Sequence, residues 1–299
     1  MAEGKIEIKK LHHVKLQLSN IVLFLKAMLL SLKHNKGMIE FLTNISGGNV
    51  RLVMELITKF MGGSNVEAEK YITRGRKGWY GIPTHEFWKS ALLGDYAYYD
   101  PVSSIAMNIF DVTVADKRHH FLLPLLLGYL NWEGPHRGSD GFVATASVVN
   151  ELQSVGFSKQ AIENAVRRAN NKKLIDAPKR LTFAEDEAGL YGDMASSYRI
   201  TTVGAYHIDR WMVDFSYLDA MCVDTPIFSE ETKSRIVTNI TSFGIEDRLD
   251  RTTTFRDYLS DIWRSSQLNR PYFDWQVRLQ KGNASFRSVR RAIYRATAT

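Results

Sequence analysis

The sequence predicts a mainly α-helical protein with a compact helix-and-hairpin module at its centre, and three observations predict it. Apolar residues recur at three- and four-residue spacing through most of the 299 positions, as helices with one buried face require. Residues 116–203 interrupt that pattern with short β-like runs around a polar loop. Hydrophobic residues make up 44% of the chain and charged residues 24%, which is enough apolar material for a real core. A chain of this length is expected to divide into two or three domains.

Composition narrows the class further. With Cys222 the single cysteine, no intrachain disulfide can form, and a reducing, cytoplasmic location is expected. The start, Met1-Ala2-Glu3-Gly4, has no apolar signal-peptide core. The most apolar stretches, Ile21–Leu32 and Phe121–Leu130, are interrupted by Lys26 and Pro124 and fall short of the roughly 20 residues that span a bilayer. They are expected to be buried helices, with no membrane partner. A formal net charge of +7 favours an anionic partner but does not separate nucleic acid from acidic protein or lipid.

Residues 1–75 predict a small helical bundle. Leu16–Leu32 is apolar on nearly every face, a break follows at Lys33–Gly37, and a short helix covers Met38–Asn44. The next helix, Asn49–Met61, places Val50, Val53, Leu56, Ile57, Phe60 and Met61 at helical spacing and stops at Gly62-Gly63. Residues 76–115 hold many aromatics and turn formers, among them Trp79, Tyr80, Phe87, Trp88, Tyr98 and Tyr99. They are expected to form a connector whose aromatics pack between domains, with one helix from an N-capping Thr84 to about Leu93.

The central module follows. His120–Trp132 predicts an apolar helix with a kink at Pro124, and 141–143 a short extended segment. Thr145–Val155 is a second helix, the Gly156-Phe157 turn follows, and Ser158 caps a third helix to about Lys173. Leu174–Asp176 and Ser197–Thr201 predict two strands around a polar loop. This is the order of a winged-helix domain. The tail, 204–299, predicts helices over Ala205–Met221, Ser229–Phe243, Arg251–Ser265 and Phe286–Tyr294.

The third helix has the amphipathicity that groove recognition needs. Opposite an Ala161, Ile162, Ala165, Val166, Ala169 stripe lie Gln160, Asn164, Arg167, Arg168 and Asn171, with Lys172 at the end. These side-chain types contact adenine, guanine and phosphate in double-stranded DNA. A solvated helix face has the same pattern, and the acids Glu185, Asp186, Glu187 and Asp193 in the wing loop would repel a phosphate backbone. A second basic cluster, Arg278, Lys281, Arg287, Arg290, Arg291 and Arg295, has no acid after Asp274 and suits nucleic acid or a negatively charged domain.

Ile45-Ser46-Gly47-Gly48-Asn49-Val50-Arg51-Leu52, followed by Glu55-Leu56, resembles the start of the third lid helix of AAA+ and STAND-type P-loop ATPases, particularly the origin-recognition-like branch. Pro83–Phe87 and Gly94–Pro101 resemble the connector from lid to winged helix in prokaryotic ATPases of this kind. The resemblance implies a lid over 1–75, a connector over 76–115, a winged helix over 116–203 and a helical region over 204–299. It also implies that Arg51 senses nucleotide phosphates, as an arginine in a first helical turn can. The alternative for Arg51 is a surface ion pair with Glu55, four residues on.

The chain departs from that family in having no G-x-x-x-x-G-K-[ST] and no apolar strand ending in paired acids. It is therefore expected to be no enzyme by itself and to hold no cofactor alone. ATP and Mg would be bound by a P-loop domain in cis or in trans. No H-E-x-x-H, Cys/His quartet or nucleophile elbow occurs, so no metal site is expected. Asp209, Asp214, Asp219 and Asp224, five residues apart, are expected to be solvated. Three functions stay open: the regulatory and DNA- or partner-binding portion of such an ATPase, a stand-alone winged-helix DNA-binding protein that oligomerises through its bundle, and a protein-interaction scaffold.

Overall fold

The computed structural model describes residues 18–63, 66–76, 81–186 and 189–298. Over these the protein is mainly α, with thirteen α-helices and small antiparallel sheets. The chain separates into two compact units that divide between Ile105 and Ala106. The stretch read as a connector thus contributes to both; Trp79 and Tyr80 lie outside the described residues.

The first unit holds α1 (Leu18–His34), α2 (Lys36–Ser46), α3 (Val50–Gly62), α4 (Ala68–Arg76) and α5 (Thr84–Leu93). The break expected over 33–37 shrinks to Asn35, whose side chain caps α2 by accepting from Met38 N at 3.2 Å. Its amide also donates to Ile82 O at 3.1 Å. Phe24, Phe41, Phe60, Tyr71 and Phe87 fill the core, and the Phe60 and Phe87 rings stack at 3.9 Å. Thr84 is not the cap of α5: Pro83 stands there without a side-chain bond, and the Thr84 hydroxyl donates to Asn35 Oδ1 instead. The sequence did not predict α4, a short polar helix held by buried Tyr71 and Ile72.

The second unit opens with a 3₁₀ turn, Lys117–Phe121, which leads into α6 (Leu122–Asn131). Pro124, the expected site of a kink, lies near the start of α6. Proline there occupies the first turn, where its missing N–H has no intrahelical partner to lose. Then come β1 (Val143–Ala144), α7 (Thr145–Ser154), α8 (Lys159–Asn171), β2 (Ile175–Asp176), β3 (Ala184–Asp186), β4 (Gly189–Tyr191) and β5 (Ser197–Ile200). The strand β5 lies between β1 and β2, antiparallel to both, with Val143 opposite Tyr198 and Ile175 opposite Ile200. The polar loop contains a hairpin the sequence did not predict, β3 with β4.

The tail forms α9 (Thr202–Asp209), a 3₁₀ turn at Trp211–Val213, α10 (Phe215–Cys222), α11 (Glu230–Thr238), α12 (Ile245–Ser266) and α13 (Trp275–Thr297). The single helix expected over 205–221 is broken at 210–214, where Asp214 caps α10 by accepting from Ser216 N at 2.8 Å. Of the four acids expected to be solvated, Asp224 is exposed, Asp209 and Asp214 are half-buried, and Asp219 departs from the expectation outright. Asp219 is buried and takes Arg251 at 2.9 Å and Arg248 at 2.7 Å. Asp209 pairs with Arg278, and Asp224 accepts from Asn108 at 3.2 Å.

Between α12 and α13 a core of rings gathers Phe110, Phe121, Phe255 and Trp275. The middle of α13 crosses the 3₁₀ turn at Gly282, where a methyl group would stand 2.1 Å from Val213 O. Among the described residues no helix is long and apolar enough to cross a membrane.

Candidate nucleotide and nucleic-acid contacts

Two glycines with positive φ, Gly47 at 58° and Gly48 at 80°, end α2 and turn the chain into α3. Asn49 caps α3 by accepting from Leu52 N at 3.3 Å. Arg51 is thereby fixed in the first turn of α3. Its side chain is 88% exposed and meets Glu55 Oε1 at 3.1 Å, the same-face pair its spacing allows. At that exposure the pair is worth at most a few tenths of a kcal/mol, so it is no obstacle to an arginine that takes another anion. Val50 and Met54, 73% and 57% exposed, occupy the same face.

The α8 candidates divide into committed and uncommitted residues. Ser158 caps the helix by accepting from Ala161 N at 3.3 Å, and Ala161, Ile162, Ala165, Val166 and Ala169 are buried as the spacing predicts. Arg168 reaches Asp111 Oδ2 at 2.5 Å, at the wall of a crevice also lined by His119, Leu122 and Ala165. Arg167, its side chain 15% exposed, donates to Gly192 O at 3.2 Å and lies 3.6 Å from Glu163. The β4 strand rests on α8 in the same region. Asn164 is half-buried, and its Oδ1 has no hydrogen-bond partner among the described residues. Lys172 is half-buried, while Gln160 and Asn171 are exposed.

Sequence reasoning missed Asp111 and Gly192, the partners that hold the two arginines. They stand 57 and 25 residues from them, beyond any local pattern. In the wing, Glu185 is exposed, Glu187 falls outside the described residues, and Asp193 is exposed.

Two buried histidines, His207 and His120, are structural. His207 is buried, donates Nδ1–H to Val203 O at 2.7 Å and accepts from Met107 N at 3.1 Å on Nε2. That burial lowers its pKa to about 4, so the ring is neutral. His120 donates Nδ1–H to Phe110 O at 2.6 Å and faces the Tyr258 hydroxyl at 3.1 Å, with burial again lowering its pKa. Burial holds the Cys222 thiol far above its ordinary range, so it is no nucleophile where it stands. Among the described residues no group of three or more His, Cys, Asp or Glu side chains is placed to hold a metal ion.

The second basic cluster lies along α13. Arg278 is held by Asp209 and by Ile208 O at 3.1 Å. Beyond buried Phe286, the residues Arg287, Arg290, Arg291, Tyr294 and Arg295 are exposed.

Compared with protein-family models, curated proteins and solved structures, the chain gives no match to any of the three.

Proposed function

We propose that this chain is the non-catalytic, partner-binding portion of a AAA+ or STAND-type P-loop ATPase, with residues 1–75 as a lid and residues 116–203 as a winged helix. The observation that carries the proposal is the outward face of α3. It combines Arg51 with exposed Val50 and Met54, so a cation able to meet a phosphate stands beside apolar surface that gains by being covered. A face used only for solvation has no need of the two apolar residues. In the proposed assembly Arg51 releases Glu55 and turns to a nucleotide held by the P-loop domain, in cis or in trans.

The helix-strand-helix-helix order with a β1-β5-β2 sheet supports the winged-helix reading of the central module. Its role in this proposal is to engage a neighbouring domain rather than to read bases. Freeing Arg168 for a guanine would break its pair with Asp111, and freeing Arg167 would break its bond to Gly192 O, so each base contact would replace one already made within the module. Only Gln160 and Asn171 of the six candidates are exposed, too few to define a DNA sequence.

The test uses the ATPase that carries this chain together with its P-loop domain. Arg51→Ala is expected to lower nucleotide turnover at least tenfold, as loss of a charge-assisted phosphate contact does, while leaving the unfolding midpoint in urea unchanged. Turnover equal to that of the parent would refute the sensor role.

A further inference from the structure

The last turns of α13 carry a feature that the lid and winged-helix reading does not use. At 100° per residue, Arg290, Tyr294, Arg287, Arg291 and Arg295 fall on one face, and a rise of 1.5 Å per residue spreads them over about 12 Å. All five are exposed, and Tyr294 is 74% exposed. Among the described residues Arg287, Arg290 and Arg291 have no ion pair, and no Asp or Glu occurs anywhere in residues 275–299. The other side of the helix holds Phe286, buried, with Val289 and Ile293, both half-buried. The helix is therefore held by its apolar side and presents its arginines outward.

Ordinary helix chemistry does not account for this stripe. Cations near a helix C-terminus are favoured by the macrodipole, but that effect is confined to the last turn and covers Arg295 alone. Arg287 and Arg291, four residues apart, repel each other, and so do Arg291 and Arg295, at about 0.2–0.5 kcal/mol per pair. Arg256 is a further cation beside the stripe, its charge partly offset by Asp257. It sits over the Phe286 ring at 4.7 Å and donates to Asn283 Oδ1 at 2.9 Å, and burial with the nearby charge of Arg290 lowers its pKa. Arg287, Arg290 and Arg291 thus repel one another unless an anion meets them.

We propose that this stripe is a binding site for the phosphate backbone of double-stranded DNA, independent of sequence and separate from α8. Guanidinium forks match phosphate oxygens in pairs, and a stripe of about 12 Å runs beside three to four successive phosphates of one strand at 3.4 Å of axis each. An exposed tyrosine within the stripe adds a hydroxyl that can donate to a phosphate. The absence of any acid on the helix favours nucleic acid over a folded protein partner, whose mixed charges would be fixed in register by charges of both signs. Lipid is disfavoured because Phe286, Val289 and Ile293 lie on the side of the helix away from the arginines, so that the stripe offers a bilayer little apolar surface beyond Tyr294.

The probe is a short fluorescein-labelled DNA duplex of arbitrary sequence, titrated with the full chain and followed by anisotropy at about 50 to 200 mM salt. Three phosphates neutralised by Arg287, Arg290 and Arg291 give a slope of log K against log salt of about −2.7, or about a forty-fold weakening over that range. The triple variant R287Q/R290Q/R291Q is expected to lose that slope and the binding, and R287K/R290K/R291K to keep the slope. These side chains are exposed, so circular dichroism and the urea midpoint should match the parent in both variants. Binding that survives the glutamine variant with its slope intact would overturn the proposal. So would loss of binding in the lysine variant as complete as in the glutamine variant. So would displacement of the duplex by poly-glutamate at equal charge concentration, or stronger binding to phosphatidylserine vesicles than to the duplex. Any of these failures leaves the Arg51 reading untouched, because its readout is nucleotide turnover.

Discussion

Asp214, half-buried by residue but with its carboxyl packed away from water, and His207, fully buried, titrate in opposite senses, and separating them gives a quantitative test of how the second unit is packed. Asp214 caps α10, and burial there raises its pKa from 3.8 to about 6. An acid with a raised folded pKa adds stability that is fully present below its unfolded pKa and is lost as pH rises through the folded one. The Asp214 term is thus present below pH 3.8 and gone above about 6, a difference of about 3 kcal/mol at 1.36 kcal/mol per unit. His207 runs the other way. Its pKa falls from 6.5 to about 4, so its term is present above pH 6.5 and lost as pH drops through 4, again about 3 kcal/mol. Between pH 7 and 4 the two nearly offset. Asp214→Asn keeps an oxygen that accepts from Ser216 N and removes the titration. The amide gains N–H donors that Asp214 lacks, with Ser285 nearby, so the net gain at pH 7 is about 1–3 kcal/mol rather than the whole amount. Urea unfolding of parent and variant at pH 4, 5, 6 and 7 reads the difference directly. The variant should be the more stable at pH 7, and its advantage should fall by about 3 kcal/mol by pH 4. A difference that stays constant across these pH values would refute the burial of Asp214 and the junction of α10 with Ser285 of α13.

Two further perturbations probe the same unit. Asp219→Asn leaves Arg251 and Arg248 facing a neutral amide in a buried site, and urea unfolding should show a loss of about 3–5 kcal/mol; a loss below about 1 would mean the cluster is solvated. Gly282→Ala sets helix propensity against packing. The alanine gains about 1 kcal/mol as a helix former, but its methyl would lie 2.1 Å from Val213 O, so α13 must shift; a net loss of about 1–3 kcal/mol is expected, and a gain would refute the close approach.

What was legible in the sequence is what local chemistry decides. Ser158 is a short polar residue ahead of an amphipathic run, and it caps the helix it precedes. The stripe from Ala161 to Ala169 is buried because its spacing puts all five residues on one side. The apolar run at 122–130 is buried throughout, as a helix without a polar face must be. Partners distant in the chain were not legible. The five-residue spacing of Asp209, Asp214, Asp219 and Asp224 implies rotation around a solvated helix only if the helix is continuous. The break at 210–214 removes that premise, and Arg248 and Arg251 of α12 then reach Asp219 while Arg278 of α13 reaches Asp209. The β3–β4 hairpin escaped for a related reason: three-residue strands carry too little alternation to stand out from a polar loop.

The same reasoning explains why net charge is a poor guide to this protein's partners. A formal +7 counts every arginine alike, yet the fold has already used several of them. Arg251 alone donates to Asp219, Asn239 O and Ser242 O, so its guanidinium is a structural bolt between α10, the turn before α12 and α12 itself. Arg167 and Arg168, which look like a recognition pair in the sequence, are bound to Gly192 O, Glu163 and Asp111. Arginines left for a partner include Arg51, whose pair with Glu55 is a weak surface one, and Arg287, Arg290 and Arg291 of α13, which form no ion pair among the described residues. A charge committed to an internal acceptor must lose that bond before it can serve a ligand, whereas an uncommitted one loses only hydration. Binding is therefore expected to follow these exposed arginines and to be insensitive to most of the others, although the formal charge of each is the same.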